Sequence, residues 1–234
     1  MDRVNKALNK VIGPFWDESL QQTVSDMAQI LRLRAEFFAM VTDFGWFPYD
    51  FIVGSPKDIT MLLEGYRECD PLIEEKIASF MVKEYTKEAI DYLVSEWWNK
   101  PFLKYRKPIL DQSIWANERG KYYLSVMGLV SQIEGILAEH SNVERFLKKE
   151  TLRRGINHLL PSNQPISSAG RETIEKVLIE GFGNYNDYNP LLKHLNRDAI
   201  MHGVNVNFGT QSNSLKAILL LDSLIRLIAD RIYR

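Results

Sequence analysis

The sequence predicts an all-α protein, and three observations carry that prediction. Apolar residues recur at spacings of three and four along most of the chain, the period of a helix with one buried face. Helix openings such as Asp70-Pro71 stand ahead of those runs, with Asp as cap and Pro at the first helical position. Alternating apolar and polar residues bounded by hairpin turns, the mark of strands, are nearly absent. Of the 234 residues, 45% are hydrophobic and 25% charged, which supplies a core and separates the chain from disordered sequences.

The elements follow in order. A first long helix is predicted from Ser19 to Val41, broken by the aromatic, turn-forming stretch Gly45-Trp46-Phe47-Pro48-Tyr49. Asp70-Pro71 opens a helix with apolar positions Ile73, Ile77, Phe80, Met81, Tyr85, Ile90, Leu93 and Val94, closing near Trp97-Trp98 before Pro101. Tyr105–Trp115 and Lys121–His140 are the next helices, followed by a short basic one over Val143–Arg154. After a loop with Pro161 and Pro165, Ser168 caps a helix over Arg171–Glu180, and Gly181–Asn189 is a loop by composition. Asn189-Pro190 opens a helix that Gly203 should terminate. The last helix runs from Asn213 to Ile232. Its polar positions Lys216, Ser223, Arg226 and Asp230 form one stripe with Asp222 beside it, and nearly everything else is Leu, Ile or Ala. A helix apolar over most of its circumference is a central core helix or part of an interface with a second chain.

The overall balance of 29 basic and 30 acidic residues hides an uneven distribution. Residues 1–112 carry a net charge of −4 and residues 113–234 a net of +3, and all four histidines (His140, His158, His194, His202) lie in the second half. That asymmetry suits a scaffold followed by an anion-facing region, although chance produces it too. The single cysteine, Cys69, cannot close an internal disulfide, so a reducing cytoplasmic setting is expected. The opening MDRVNKALNK lacks the apolar core of a signal peptide. Asp222, Arg226 and Asp230 interrupt the longest apolar stretch too often for a membrane span.

One constellation carries chemistry. In Asn196-Arg197-Asp198-Ala199-Ile200-Met201-His202-Gly203 an arginine precedes a histidine by five positions, at the predicted end of a helix. This resembles the R-x4-6-H motif of the HEPN superfamily, small all-α domains of ribonuclease toxins and prokaryotic antiviral systems. The runs FGT, NSLKAILLLD (Asn213–Asp222) and SQIEGIL (Ser131–Leu137) add to the likeness. It covers roughly residues 105–234; residues 1–104 resemble no family and form an N-terminal helical extension of unknown role, within one continuous domain or as a separate one. The resemblance implies a HEPN-like helical bundle acting as a homodimer, with Arg197 and His202 of both chains meeting in a shared cleft. It implies RNA as substrate, no cofactor or metal, a cyclic phosphate product, and an antitoxin or sensor protein as a possible partner.

The residue types fit such a reaction. Cleaving RNA by its own 2′-hydroxyl needs a base, an acid for the leaving 5′-oxygen, and cations to offset phosphate charge. Histidine titrates close to neutral pH and serves in either proton role, while arginine stays charged and holds two phosphate oxygens in its planar fork. Asp198, one helical turn before His202, is placed to orient the imidazole, and Asn196 opens the motif as a supporting residue. On an ideal helix, positions five apart diverge by roughly 140°, so this chemistry requires the helix to end near His202 or two chains to converge. The plainer alternative is a C-terminal capping histidine with a solvated arginine.

Glu134 lies on the row Met127, Val130, Leu137. A carboxylate among apolar neighbours calls for a cationic or hydrogen-bonding mate; Arg197 or His202 would suit, making Glu134 an orienting residue, unless it reaches water from a helix edge. Arg145, Lys148, Lys149, Arg153 and Arg154 on the basic helix are candidate phosphate contacts, or a solvated face. Tyr185 and Tyr188 can stack unpaired bases, or simply anchor their loop. The histidines show no metal-ligand spacing, and phosphate-binding glycine loops and nucleophile elbows are missing. Two rivals to a nuclease remain: an inert HEPN-like module that binds a protein or nucleic acid, and an unrelated helical scaffold whose N-terminal half holds a ligand against Trp46, Trp97 or Trp98.

Overall fold

The computed structural model describes residues 18–48, 54–140, 149–159 and 195–232. Among them the chain forms nine α-helices, one 3-10 turn and no strand. The α-helices are α1 (Glu18–Asp43), α2 (Pro56–Arg67), α3 (Ile73–Glu84), α4 (Lys87–Trp97), α5 (Lys107–Glu118), α6 (Tyr122–His140), α7 (Lys149–Leu159), α8 (Arg197–Met201) and α9 (Gln211–Ile232). The 3-10 turn spans Pro101–Leu103, between α4 and α5. The predicted Ser168 cap, the helix over 171–180, the loop over 181–189 and the Asn189-Pro190 opening lie outside the described residues. None of the described helices is long and apolar enough to cross a membrane.

Besides α7, which runs on to Leu159 past its expected end at Arg154, three predicted boundaries are corrected. The helix expected from Asp70 to Trp98 is two helices, α3 and α4, because Thr86 takes an extended conformation and its hydroxyl accepts the Ala89 N–H at 3.4 Å. A β-branched hydroxyl residue satisfies more backbone as an N-cap than inside a helix. The opening also shifts: Asp70 Oδ1 accepts the Leu72 N–H at 2.9 Å, and α3 begins at Ile73 rather than Pro71. Third, α2 occupies a stretch assigned no helix. Its signal lies in Ser55-Pro56-Lys57-Asp58, where Ser55 accepts the Asp58 N–H at 3.2 Å and Pro56 takes the first turn, a capping pattern readable in sequence.

α9 is the central helix. It packs against α3, α4, α6 and α7, and sixteen of its 22 residues are buried. Its buried polar residues Ser214, Asp222 and Ser223 therefore face inward and are satisfied there. Asp222, 2% exposed, accepts from the Trp97 indole at 2.8 Å and from Arg226 Nε at 2.9 Å. Ser223 donates to the Phe47 carbonyl at 2.7 Å, and Ser214 Oγ lies 2.7 Å from Asn117 Oδ1 and 2.8 Å from Ser125 Oγ. Such contacts fix the register of α9, because an unpaired buried polar atom costs about 1–3 kcal/mol. Lys216 is the exception among charged groups. It is buried, its ammonium lies 5.1 Å from the centre of the Trp46 ring, and burial pulls its pKa from 10.5 down to about 8.

The other major contact is the α5–α6 hairpin. A Cβ on Gly128 would lie 2.1 Å from Ser113 Oγ, so glycine permits the close approach of the two helices. One hydrophobic cluster links Phe37, Trp46 and Trp97 with Leu129, Ile200 and Ile228, crossing position 104/105 without interruption.

Candidate active site

The motif helix α8 is short, and both ends are set by local chemistry. Within the described residues the helix expected to reach Gly203 spans only Arg197–Met201, because Leu195 lies in a turn and Asn196 is the N-cap, its side chain accepting the Ala199 N–H at 2.8 Å. At the other end His202 is the C-cap, with φ −90° and ψ 3°. Gly203 follows at φ +71°, a conformation glycine adopts without steric cost. The Gly203 N–H bonds to the Ile200 carbonyl at 3.1 Å and the Val204 N–H to the Ala199 carbonyl at 2.8 Å. This is the paired hydrogen-bond pattern of a left-handed helix terminus, and it closes the helix where Gly203 predicts. Ala199 and Ile200 are buried and seat α8 against α6.

That seating brings Arg197 to Glu134. Arg197 Nη2 pairs with Glu134 Oε2, and Arg197 Nη1 lies 2.6 Å from Asp198 Oδ1. All three side chains are about a quarter exposed. The Arg197 Nε–H is buried with no acceptor. Glu134 is thus the carboxylate among apolar neighbours, Val130 and Leu137 being buried beside it, with an arginine as its mate. Asp198 behaves differently from expectation. Its carboxylate engages Arg197, and the link drawn to His202 is the backbone bond from the His202 N–H to the Asp198 carbonyl at 3.0 Å. His202 itself is exposed at the surface end of α8.

The remaining candidates disperse. Arg153 and Arg154 are exposed on α7, and Lys149 opens that helix; Arg145, Lys148, Tyr185, Tyr188 and His194 lie outside the described residues. His158 serves a structural tie, its Nε2 2.7 Å from Arg231 Nη2 on α9. His140 stacks edge-on against Phe102 at 4.9 Å, and burial pushes its pKa below the usual histidine value. No cluster of metal-ligating side chains is found among the described residues. Trp46 and Trp97 are wholly inside the core, at 0% and 1% exposure. A surface cleft of about 550 Å³ between α1 and α2 is lined by Ile30, Leu33, Met61 and neighbours, and another of about 470 Å³ by Tyr85, Lys87, Arg119, Tyr122 and neighbours. Tryptophan lines neither, and Arg197 and His202 border neither.

The arrangement therefore offers an exposed imidazole and, at the start of the same short helix, a guanidinium held by two carboxylates. Of the two mates expected for Glu134, Arg197 and His202, the packing of α8 on α6 selects Arg197. The Asp198 contact had no sequence signal, since adjacent helix positions point about 100° apart. Compared with known proteins, the chain matches no family, no curated protein and no solved structure.

Proposed function

We propose that this chain is a metal-independent endoribonuclease of HEPN type, working as a homodimer in phage defence or as one half of a toxin–antitoxin pair. The observation that carries the reading is the termination of α8 at His202. Residues 197–201 are helical, so Arg197 and His202 of one chain still diverge by roughly 140°; the helix end leaves the ring at the surface, where the symmetry mate's set would have to meet it. Arg197 would hold the scissile phosphate in its fork. His202 would move the proton between the 2′-hydroxyl, the leaving 5′-oxygen and solvent. The products would be a 2′,3′-cyclic phosphate and a 5′-hydroxyl end, with the symmetry mate supplying the second Arg/His pair. Glu134 would keep the guanidinium aimed.

An RNA cleavage assay in EDTA tests this. Cleavage by the wild type, reduced about 100-fold or more in both His202→Ala and Arg197→Ala, supports it. Equal cleavage by all three proteins, or none by the wild type across varied substrates, overturns it. One observation favours a second reading, an inert HEPN-like module that binds a protein or nucleic acid: Arg197 is already neutralised by Glu134 and Asp198. That reading predicts binding without cleavage and a lower melting temperature in His202→Ala.

A further inference from the structure

We propose that Asp198 is a built-in competitor for phosphate at Arg197, its carboxylate occupying a donor that a phosphodiester would otherwise take, so that anion binding requires Asp198 to release the guanidinium. The inference rests on the reading of Arg197 as a phosphate ligand. Arginine grips phosphate best through two parallel N–H···O bonds from neighbouring nitrogens. Here Nη2 is taken by Glu134, Nη1 by Asp198 at 2.6 Å, and Nε points into a buried space without an acceptor. Each Nη nitrogen keeps a second hydrogen, but one carboxylate already engages each of them, so a phosphate meets no pair of nitrogens clear of Glu134 and Asp198. The charges agree with the geometry: one guanidinium against two carboxylates leaves the group at −1, which repels an incoming anion.

The two carboxylates are not equivalent holders. Glu134 projects from α6, a 19-residue helix packed along its length on α5 and α9, and ties Arg197 to the body of the protein. Asp198 is the next residue on a five-residue helix, and neighbouring helix positions diverge. Its contact with Arg197 is made across the first turn by a short side chain and is lost by a single rotamer change. Released, Nη1 and the second hydrogen of Nη2 form a fork, still aimed by Glu134. Asp198 is thus a positioning residue that sets the affinity of the site, and not the partner that orients His202.

The test measures binding of a short 2′-O-methyl oligoribonucleotide, which cannot be cleaved, across a salt series, with RNA cleavage followed in parallel. Asp198→Asn removes the charge and Asp198→Ala removes the acceptor as well; thermal unfolding checks that both remain folded. Each should tighten binding about tenfold, the size of one charge-assisted contact. Each should also steepen the dependence of log K on log salt by about 0.7, as one more phosphate contact does on a single strand. Both effects should vanish when Arg197→Ala is added. Unchanged or weaker binding by the Asp198 variants, or tightening that persists without Arg197, overturns the competitor role. If Arg197→Ala alone still weakens binding and cleavage, that result leaves the nuclease reading standing. Wild-type binding and cleavage by Arg197→Ala overturns both.

Discussion

Replacing Lys216 with methionine should stabilise this protein at neutral pH, by an amount that shrinks as pH rises. Lys216 sits in the second turn of α9 at 5% exposure, and the attraction of Glu74 only partly offsets the burial that brings its pKa from 10.5 to about 8. At roughly 1 kcal/mol or slightly more for each tenfold change in proton affinity, that depression is worth about 3 kcal/mol. The sign follows from linkage. A base whose pKa is lowered by folding binds fewer protons when folded, so stability rises with pH between about 8 and 10.5. Below pH 8 the folded state carries a charged ammonium at nearly the full cost; by pH 9.5 roughly 2 kcal/mol of it is relieved. Methionine keeps a similar length against Trp46 without a charge and gives up a cation–ring attraction of about 0.5–1 kcal/mol. The net expectation is a gain of about 2–3 kcal/mol for Lys216→Met at pH 7 and about 1 kcal/mol or less at pH 9.5. Urea unfolding of both proteins at the two pH values measures the gap, and the common titration of other groups cancels in the difference. A variant less stable than wild type at pH 7, or a gap that does not narrow with pH, refutes the account of a desolvated ammonium.

Two predictions concern the ends of α8. Asn196→Ala removes the cap on the Ala199 N–H and should cost about 1 kcal/mol, read by thermal unfolding; Asn196→Asp should restore most of it. Gly203→Ala places a side chain at φ +71° with no atom within 4 Å of its Cβ, so its cost is conformational alone, about 1 kcal/mol. Gly203→Asn should cost less than Gly203→Ala in the same melt, because asparagine tolerates the left-handed region, and the reverse order would point to a hidden contact.

Much of the fold was legible because its causes are local. The three- and four-residue spacing in Leu33–Val41 and Ser125–Leu137 reports one buried helix face, and α1, α5, α6 and α9 lie close to their predicted spans. Gly203 ends α8 for a reason contained in its own missing Cβ. The break at Thr86 and the opening at Ser55 were equally local, and their cap residues stand plainly in the sequence. The candidate site was legible in its residue types and only partly in its contacts. Glu134 announced that it needed a mate; that the mate is Arg197, and that Asp198 turns to Arg197 as well, depends on where α8 rests against α6.

Sequence alone determined an all-α chain with a nearly all-apolar final helix and an arginine and histidine five positions apart. Tertiary structure decided that α9 is the centre of the core, with Asp222, Ser223 and Ser214 turned inward to Trp97, Phe47, Asn117 and Ser125. It also decided that α8 is a single short turn whose arginine faces two carboxylates. The division has a physical reason. Helix periodicity and capping are settled within a few residues along the chain, whereas the partner of a buried polar or charged group comes from an element tens of residues away. For Arg197 that element is α6, and only the packing of the two helices brings Glu134 within reach.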